Sequence, residues 1–142
     1  MDAFDADVLI YAANEDHPLG RRVRPLIPAG VPGGTESVAG VGSMLLIPEL
    51  LTRPARQAAA AEADALTELL VRLHLLPVDE PISRLATHLG AVYRLRTVDA
   101  VHLATAVLAG ADRFITNNAK DFPTSITEID VTYPADLPDP TP

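Results

Sequence analysis

The chain has 142 residues, no cysteine and a formal net charge of −8 at pH 7. That length holds one ordinary domain and excludes two, and the lack of cysteine excludes disulfide frameworks and thiolate metal sites. Apolar residues at 48% against 21% charged describe a globular chain and exclude a disordered one.

In chain order, residues 3–5 read as a short strand running into a helix that starts near Asp7. Pro18 to Ile27 read as a second helix with arginines on its wet face. Ile27 to Gly34 is a loop by its Pro and Gly content, and residues 36–41 suit a second strand. Ser43 is placed to cap the next helix, which carries Leu45, Leu46, Glu49 and Leu50; Pro48 is tolerable only in its first turns. Alanine-rich residues 55–73 read as one long helix with Leu66, Leu69, Leu70 and Leu73 on one face. Leu75 to Val78 is a third strand. Asp79 caps a helix through Tyr93, with Pro81 in its first turn. Thr97 caps another, Val98 to Ala109, which Gly110 ends. Arg113 to Thr116 and Glu128 to Val131 complete the strands.

Strands separated by helices imply right-handed crossovers, a parallel sheet and ligands at the carboxyl ends of its strands. The domain is expected to span residues 1–133, leaving the Pro-rich residues 134–142 as an extended tail. The longest apolar stretches are interrupted by Arg72, Arg84, Glu49 or Pro48, so no membrane span is expected. The acidic N-terminus lacks the basic region of a signal peptide, and a cytoplasmic protein is the default.

Acidic residues fall where ligands are expected. Asp5 and Asp7 follow the first strand; residues two apart on a strand face the same way, although either acid could instead cap the following helix, Asp7 especially. Glu49 is a lone acid between apolar residues, where an unpaired carboxylate is costly; the plainer reading pairs it with Arg53 one turn on. Asp99 lies in the first turn of a strongly apolar helix, which the helix dipole alone would favour. Thr116, Asn117, Asn118 and Asp121 offer oxygen ligands after the fourth strand, although Asn is commonly a turn residue. Magnesium and manganese prefer such carboxylate and water oxygens, and near a phosphodiester they stabilise charge and activate water.

His102 follows Asp99 by three residues and reads as a partly buried structural histidine ahead of an acid or base. His17, His74 and His88 show no ligand spacing. Arg21, Arg22 and Arg24 form the one dense basic run, either a phosphate contact or a solvated face. Arg94, Arg96 and Lys120, the one lysine, flank the acidic residues and could contact substrate phosphate. Phe4, Phe114 and Phe122 are expected beside the sheet, leaving no aromatic platform for bases. The net charge is awkward for binding nucleic acid unless bound cations or a basic partner offset it.

The blocks FDADVLIYA, PELL and VDAVHLATAVLAGADRFITNNAKDF together resemble a PIN-domain ribonuclease of the VapC toxin type, up to about residue 131. The resemblance implies an α/β fold: a three-layer α/β/α sandwich around a mostly parallel sheet of about four or five strands. It also implies a Mg²⁺- or Mn²⁺-dependent endoribonuclease, a cognate antitoxin, an RNA substrate and a homodimer. By resemblance Asp5, Glu49 and Asp99 are the first three acidic residues, catalytic and metal-holding, and Thr116 opens the final motif. The fourth acidic position falls on Asn118, where Asp is usual, and Asp7 stands where a small polar residue or Asn is usual; Asp7 or Asp121 could compensate. Three alternatives stay open: a haloacid-dehalogenase-like phosphatase using Asp5 and Asp7, a receiver domain, which would need a lysine near residue 131, and a catalytically weak binding module of the same fold.

Overall fold

The computed structural model describes residues 1–30 and 38–140. Five strands, Asp2–Phe4 (β1), Gly40–Ser43 (β2), Leu73–Leu76 (β3), Arg113–Ile115 (β4) and Asp130–Thr132 (β5), form one sheet. Its order is β3-β2-β1-β4-β5, and every neighbouring pair is parallel. Among the described residues six α-helices flank it: Ala6–Ala13 (α1), Pro18–Val23 (α2), Leu46–Arg56 (α3), Ala60–Leu70 (α4), Glu80–Tyr93 (α5) and Thr97–Leu108 (α6).

Strand alternation divides the core into two layers. Ala3, Val41, Phe114 and Val131 face a cluster with α5 and α6. Phe4 and Ile115, each one position on, face α1, α2, α3 and α4. The three phenylalanines are all buried, as expected. The three-layer α/β/α architecture follows, with a strictly parallel sheet. The chain runs outward from β1 through β2 to β3, then crosses to β4 on the other side of β1. Strand order therefore reverses between β1 and β4, and the carboxyl ends of the strands at such a reversal are where parallel sheets bind ligands.

Local chemistry sets the element ends. Asp79 accepts from the Ile82 N–H at 3.0 Å and caps α5; Gly110 leaves α6 at φ +71°. Gly20 lets α2 press against α1, because a Cβ there would lie 2.0 Å from the Tyr11 carbonyl oxygen.

Several boundaries differ from the sequence reading. The second strand is Gly40–Ser43, and residues 36 and 37 lie outside the described residues, as do 31–34 of the expected loop. A Cβ at Gly40 would sit 2.4 Å from the Asp2 carbonyl oxygen, so the glycine permits pairing with β1 where β propensity alone argues against it. Ser43 belongs to that strand; its Oγ accepts from the Leu45 N–H, but α3 has no side-chain N-cap. Thr97 is the first residue of α6, and Arg96 takes the cap position. The second helix stops at Val23 and continues as a 3-10 turn, Arg24–Leu26. The alanine-rich helix expected over 55–73 is shorter: residues 55 and 56 close α3, Ala58 takes φ 52°, α4 runs Ala60–Leu70, and Leu73 opens β3. The break folds α4 back so that Leu66, Leu69 and Leu70 join Leu46 and Leu50 of α3 in one core.

The Pro-rich end is docked as far as Leu137. Pro134–Asp136 form a 3-10 turn, Leu137 is buried, and the Arg22 guanidinium donates to the carbonyls of Ala135 (3.3 Å) and Leu137 (2.7 Å). Among the described residues, no helix is long and apolar enough to cross a membrane.

Candidate functional site

Asp5 ends β1 and opens α1. Its backbone N–H donates to the Ile115 carbonyl of β4 (2.9 Å), which extends the β1–β4 ladder by one residue. Its side chain caps α1 by accepting from the Ala6 N–H at 2.8 Å, so the capping role falls on Asp5 and not on Asp7. The other carboxylate oxygen accepts from the Thr116 hydroxyl, also at 2.8 Å. Asp5 is only 5% exposed. Burial pushes its carboxyl above the usual range, and the Asp99 charge adds to this; the Thr116 and Ala6 donors and His102 oppose it.

Asp7, in the first turn of α1, accepts from the Val8 N–H (2.7 Å) and from the Asn117 N–H (3.0 Å). Burial, then the charges of Asp5 and Asp99, raise its carboxyl to about 7 against the two hydrogen bonds. Asp5, Asp7 and Asp99 therefore form a mutually repelling group.

Glu49 reaches the same place from the exposed first turn of α3. It does not pair with Arg53, which binds Gln57 and Glu62 instead. Its Oε2 lies 2.6 Å from His102 Nε2 on α6. Asp5, Glu49 and His102 each present a ligand atom within 4.8 Å of one another. Asp99 lies outside that mutual set and is buried at the start of α6; the Arg96 Nε donates to it at 3.3 Å from a side chain that is largely exposed. A cleft of about 530 Å³ lies beside these residues, lined by Pro48, Glu49, Arg96, Val98 and Asp99 among others.

The polar loop after β4 is tied inward. The Thr116 hydroxyl also accepts from the Asn118 N–H (3.1 Å). Asn118 and Asp121 form a reciprocal pair: the Asn118 side-chain amide donates to Asp121 Oδ2 at 2.9 Å, and the Asp121 N–H donates back at 3.2 Å. Asn117 donates from its side chain to the Tyr11 hydroxyl (3.2 Å), and the Tyr11 ring stacks on His17, 4.1 Å between centroids.

The sequence-predicted residues thus separate. Asp5 and Glu49 meet; Asp7, Asp99 and Thr116 border them; Asn118 and Asp121 engage each other. Arg94 and Lys120 are exposed. Arg22 and Arg24 are taken by backbone carbonyls, Arg24 by those of Ala12 in the last turn of α1 and of Asn14 and Glu15 just after it. His17 caps α2 through Nδ1. His102, read from sequence as a structural histidine ahead of an acid or base, is the further residue that the fold brings to Glu49 and Asp5. Its one signal was its three-residue spacing from Asp99, which puts the two on one helix face.

The donor set fits a hard divalent cation. Oxygens of Asp5 and Glu49 converge, and burial and repulsion penalise the charge of Asp5 and Asp7, which a cation would relieve.

Similarity to solved structures spans nearly the whole chain. It resembles a toxin–antitoxin complex from Klebsiella pneumoniae at 21% identity and a TM-score of 0.69, over 94% of this chain and 98% of that one. It also resembles VapBC2 from Rickettsia felis bound to a fragment of its promoter DNA (15%, TM-score 0.67, 93% and 97%). A third similar structure is FitAB bound to the IR36 DNA fragment (17%, TM-score 0.67, 97% and 98%). At these identities the likeness bears on the fold alone. No curated protein matches the chain at a significant level. The family model described as PIN domain matches residues 3–123, a span that takes in every acidic residue of the site and the Thr116 loop. The chain belongs to the PIN domain family.

Proposed function

We propose that the chain is a metal-dependent endoribonuclease, the toxin of a toxin–antitoxin pair. The observation that carries this reading is the approach of Asp5, Glu49 and His102 to within 4.8 Å at the strand-order reversal, beside the charges of Asp7 and Asp99. Asp5, Glu49 and Asp99 would hold Mg²⁺ or Mn²⁺. When bound, such an ion supplies an activated water and counter-charge for a phosphoryl oxygen. Thr116 orients Asp5 through its hydroxyl, and the Asn117 backbone orients Asp7. Arg94, Arg96 and Lys120 are exposed, with Arg96 beside Asp99, and would supply the positive charge that a phosphate backbone requires.

Support for an antitoxin partner comes from the structural neighbours, one of which is a toxin–antitoxin complex. An acidic site in a chain of net charge −8 suits a basic antitoxin segment, with an arginine in place of the metal. Cytoplasmic residence and a homodimer belong to the same proposal. The phosphatase and receiver readings give way to the family match. The weak-module reading keeps one supporting observation: the fourth acidic position is Asn118, already bound to Asp121.

Labelled RNA incubated with Mg²⁺, Mn²⁺ or chelator, alongside Asp5→Asn and Asp99→Asn variants, separates the two. The nuclease requires metal-dependent cleavage that both variants lose. Intact RNA under every condition would leave the binding module.

A further inference from the structure

Glu49 differs from Asp5 in how it is held. Asp5 has a donor on each oxygen. Glu49 stands on an exposed turn, with 34% of its side chain open, and a glutamate ordered there gives up much of its rotamer freedom. Its partner is His102, whose side chain is 1% exposed within the most apolar stretch of α6. The second ring nitrogen, Nδ1, is buried and has no hydrogen-bond partner among the described residues.

Hydrogen-bond accounting over the two nitrogens decides the role of the ring. With the proton on Nδ1, the bare Nε2 lone pair would face the Glu49 carboxylate at 2.6 Å, and a buried N–H would be left without an acceptor. With the proton on Nε2, the ring donates to Glu49, and only a lone pair is buried unmet. The second arrangement satisfies the carboxylate and leaves the cheaper orphan. A histidine that ligates metal through Nε2 ordinarily donates its Nδ1–H to a carboxylate, carbonyl or water, and among the described residues no carboxylate or carbonyl accepts from His102 Nδ1.

We propose that His102 is a positioning residue and not a metal ligand: it donates from Nε2 to Glu49 and holds that carboxylate toward Asp5, leaving the other Glu49 oxygen for the cation. This rests on the metal-dependent reading above and adds to it the source of order for its least constrained acid. α6 then serves the site twice, through Asp99 at its start and through His102 one turn later.

The test combines a tautomer measurement with a binding series. Nitrogen-15 NMR of histidine-labelled wild-type protein, with chelator and with Mg²⁺, reads which ring nitrogen of His102 carries the proton. Mn²⁺ affinity and ¹⁴N hyperfine coupling, from electron paramagnetic resonance, are measured for wild type, His102→Leu, His102→Gln, Glu49→Gln and the Glu49→Gln/His102→Leu double variant. The expected results are the Nε2–H tautomer in both states and no histidine ¹⁴N coupling to Mn²⁺. His102→Leu should weaken Mn²⁺ binding by about tenfold or more. His102→Gln, which keeps an N–H donor near the same point, should recover most of that, and His102→Leu should add nothing in the Glu49→Gln background. A proton on Nδ1 with metal-shifted Nε2, or clear ¹⁴N coupling, would make His102 a ligand and overturn the proposal. Wild-type affinity in His102→Leu would overturn it equally. A wild type that binds no Mn²⁺ sinks the metal reading itself, an outcome distinct from either. The NMR arm needs no variant to fold.

Discussion

The Thr116 hydroxyl donates to Asp5 Oδ2 across 111 positions of sequence, joining the carboxyl ends of β4 and β1 where the strand order reverses. Thr116 is fully buried, so the bond is made away from water. It is the strongest influence opposing the rise that burial imposes on the Asp5 carboxyl. Thr116→Val keeps the shape and removes the donor, leaving a buried carboxylate oxygen unmet. The expected cost is about 1–3 kcal/mol in urea denaturation, with weaker Mn²⁺ binding near neutral pH because Asp5 ionises less readily. Thr116→Ser should retain most of both. A valine variant as stable as wild type would show that the bond holds nothing in place.

Asp7 gives the chelated protein a pH dependence of defined sign. Its carboxyl ionises near 3.8 in the unfolded chain and at about 7 in the folded one. Between those values the folded chain keeps a proton that the unfolded chain has released. The stability tied to this group is therefore complete below about 4, falls as pH rises, and is gone above about 7, at no more than about 1.4 kcal/mol per pH unit. Asp7→Asn should flatten that decline and leave the metal-free protein more stable than wild type at pH 8. Mg²⁺ should stabilise wild type at pH 8 more than at pH 5, since a cation offsets the repulsion that ionisation creates. Urea midpoints across pH for both proteins, with and without chelator, check this; parallel curves would rule it out.

What could be read from sequence was local chemistry, and what could not was chemistry between distant residues. Asp79 and Pro81 announce the start of α5 within a few positions, and Gly110 announces the end of α6, because caps and breakers act on their own neighbours. The alternation of strands and helices sufficed for a parallel sheet with acids at its strand ends. The start of β2 at Gly40 was not legible, because the glycine answers to the approach of Asp2 and not to strand propensity. The break at Ala58 was hidden by alanine's helix preference; it exists because α4 must return its leucines to the core of α3. At the site, Asp5 and Asp99 stood out against apolar neighbours. The bond of His102 to Glu49 spans 53 positions, and nothing near either residue signals it.

Asn118 and Asp121 predict a charge exchange. Asn118→Asp alone would set two carboxylates against each other where an amide now donates to Asp121 at 2.9 Å. It should destabilise the chelated protein by about 1–2 kcal/mol. The double variant Asn118→Asp/Asp121→Asn restores a donor facing an acceptor, with the charge now on residue 118, whose N–H bonds Thr116 beside Asp5. The double variant should recover wild-type stability and bind Mn²⁺ more tightly than wild type. Recovery of stability without tighter binding would place residue 118 outside the cation's reach.

Leu137 tests whether the Pro-rich end belongs to the fold. Its side chain is 3% exposed and packs in the same cluster as Val23 of α2 and Phe4 of β1, while its carbonyl accepts from Arg22 at 2.7 Å. Leu137→Ala removes buried apolar volume and should cost about 2–5 kcal/mol. Arg22→Ala should cost about 1–2 kcal/mol, because the carbonyls of Ala135 and Leu137 would lose a charged donor but lie near enough to the surface for water to replace it in part. The two effects should sum to less than their separate costs, since both act through one docked segment. Full additivity, or a Leu137→Ala variant as stable as wild type, would show that the segment rests on the domain without supporting it.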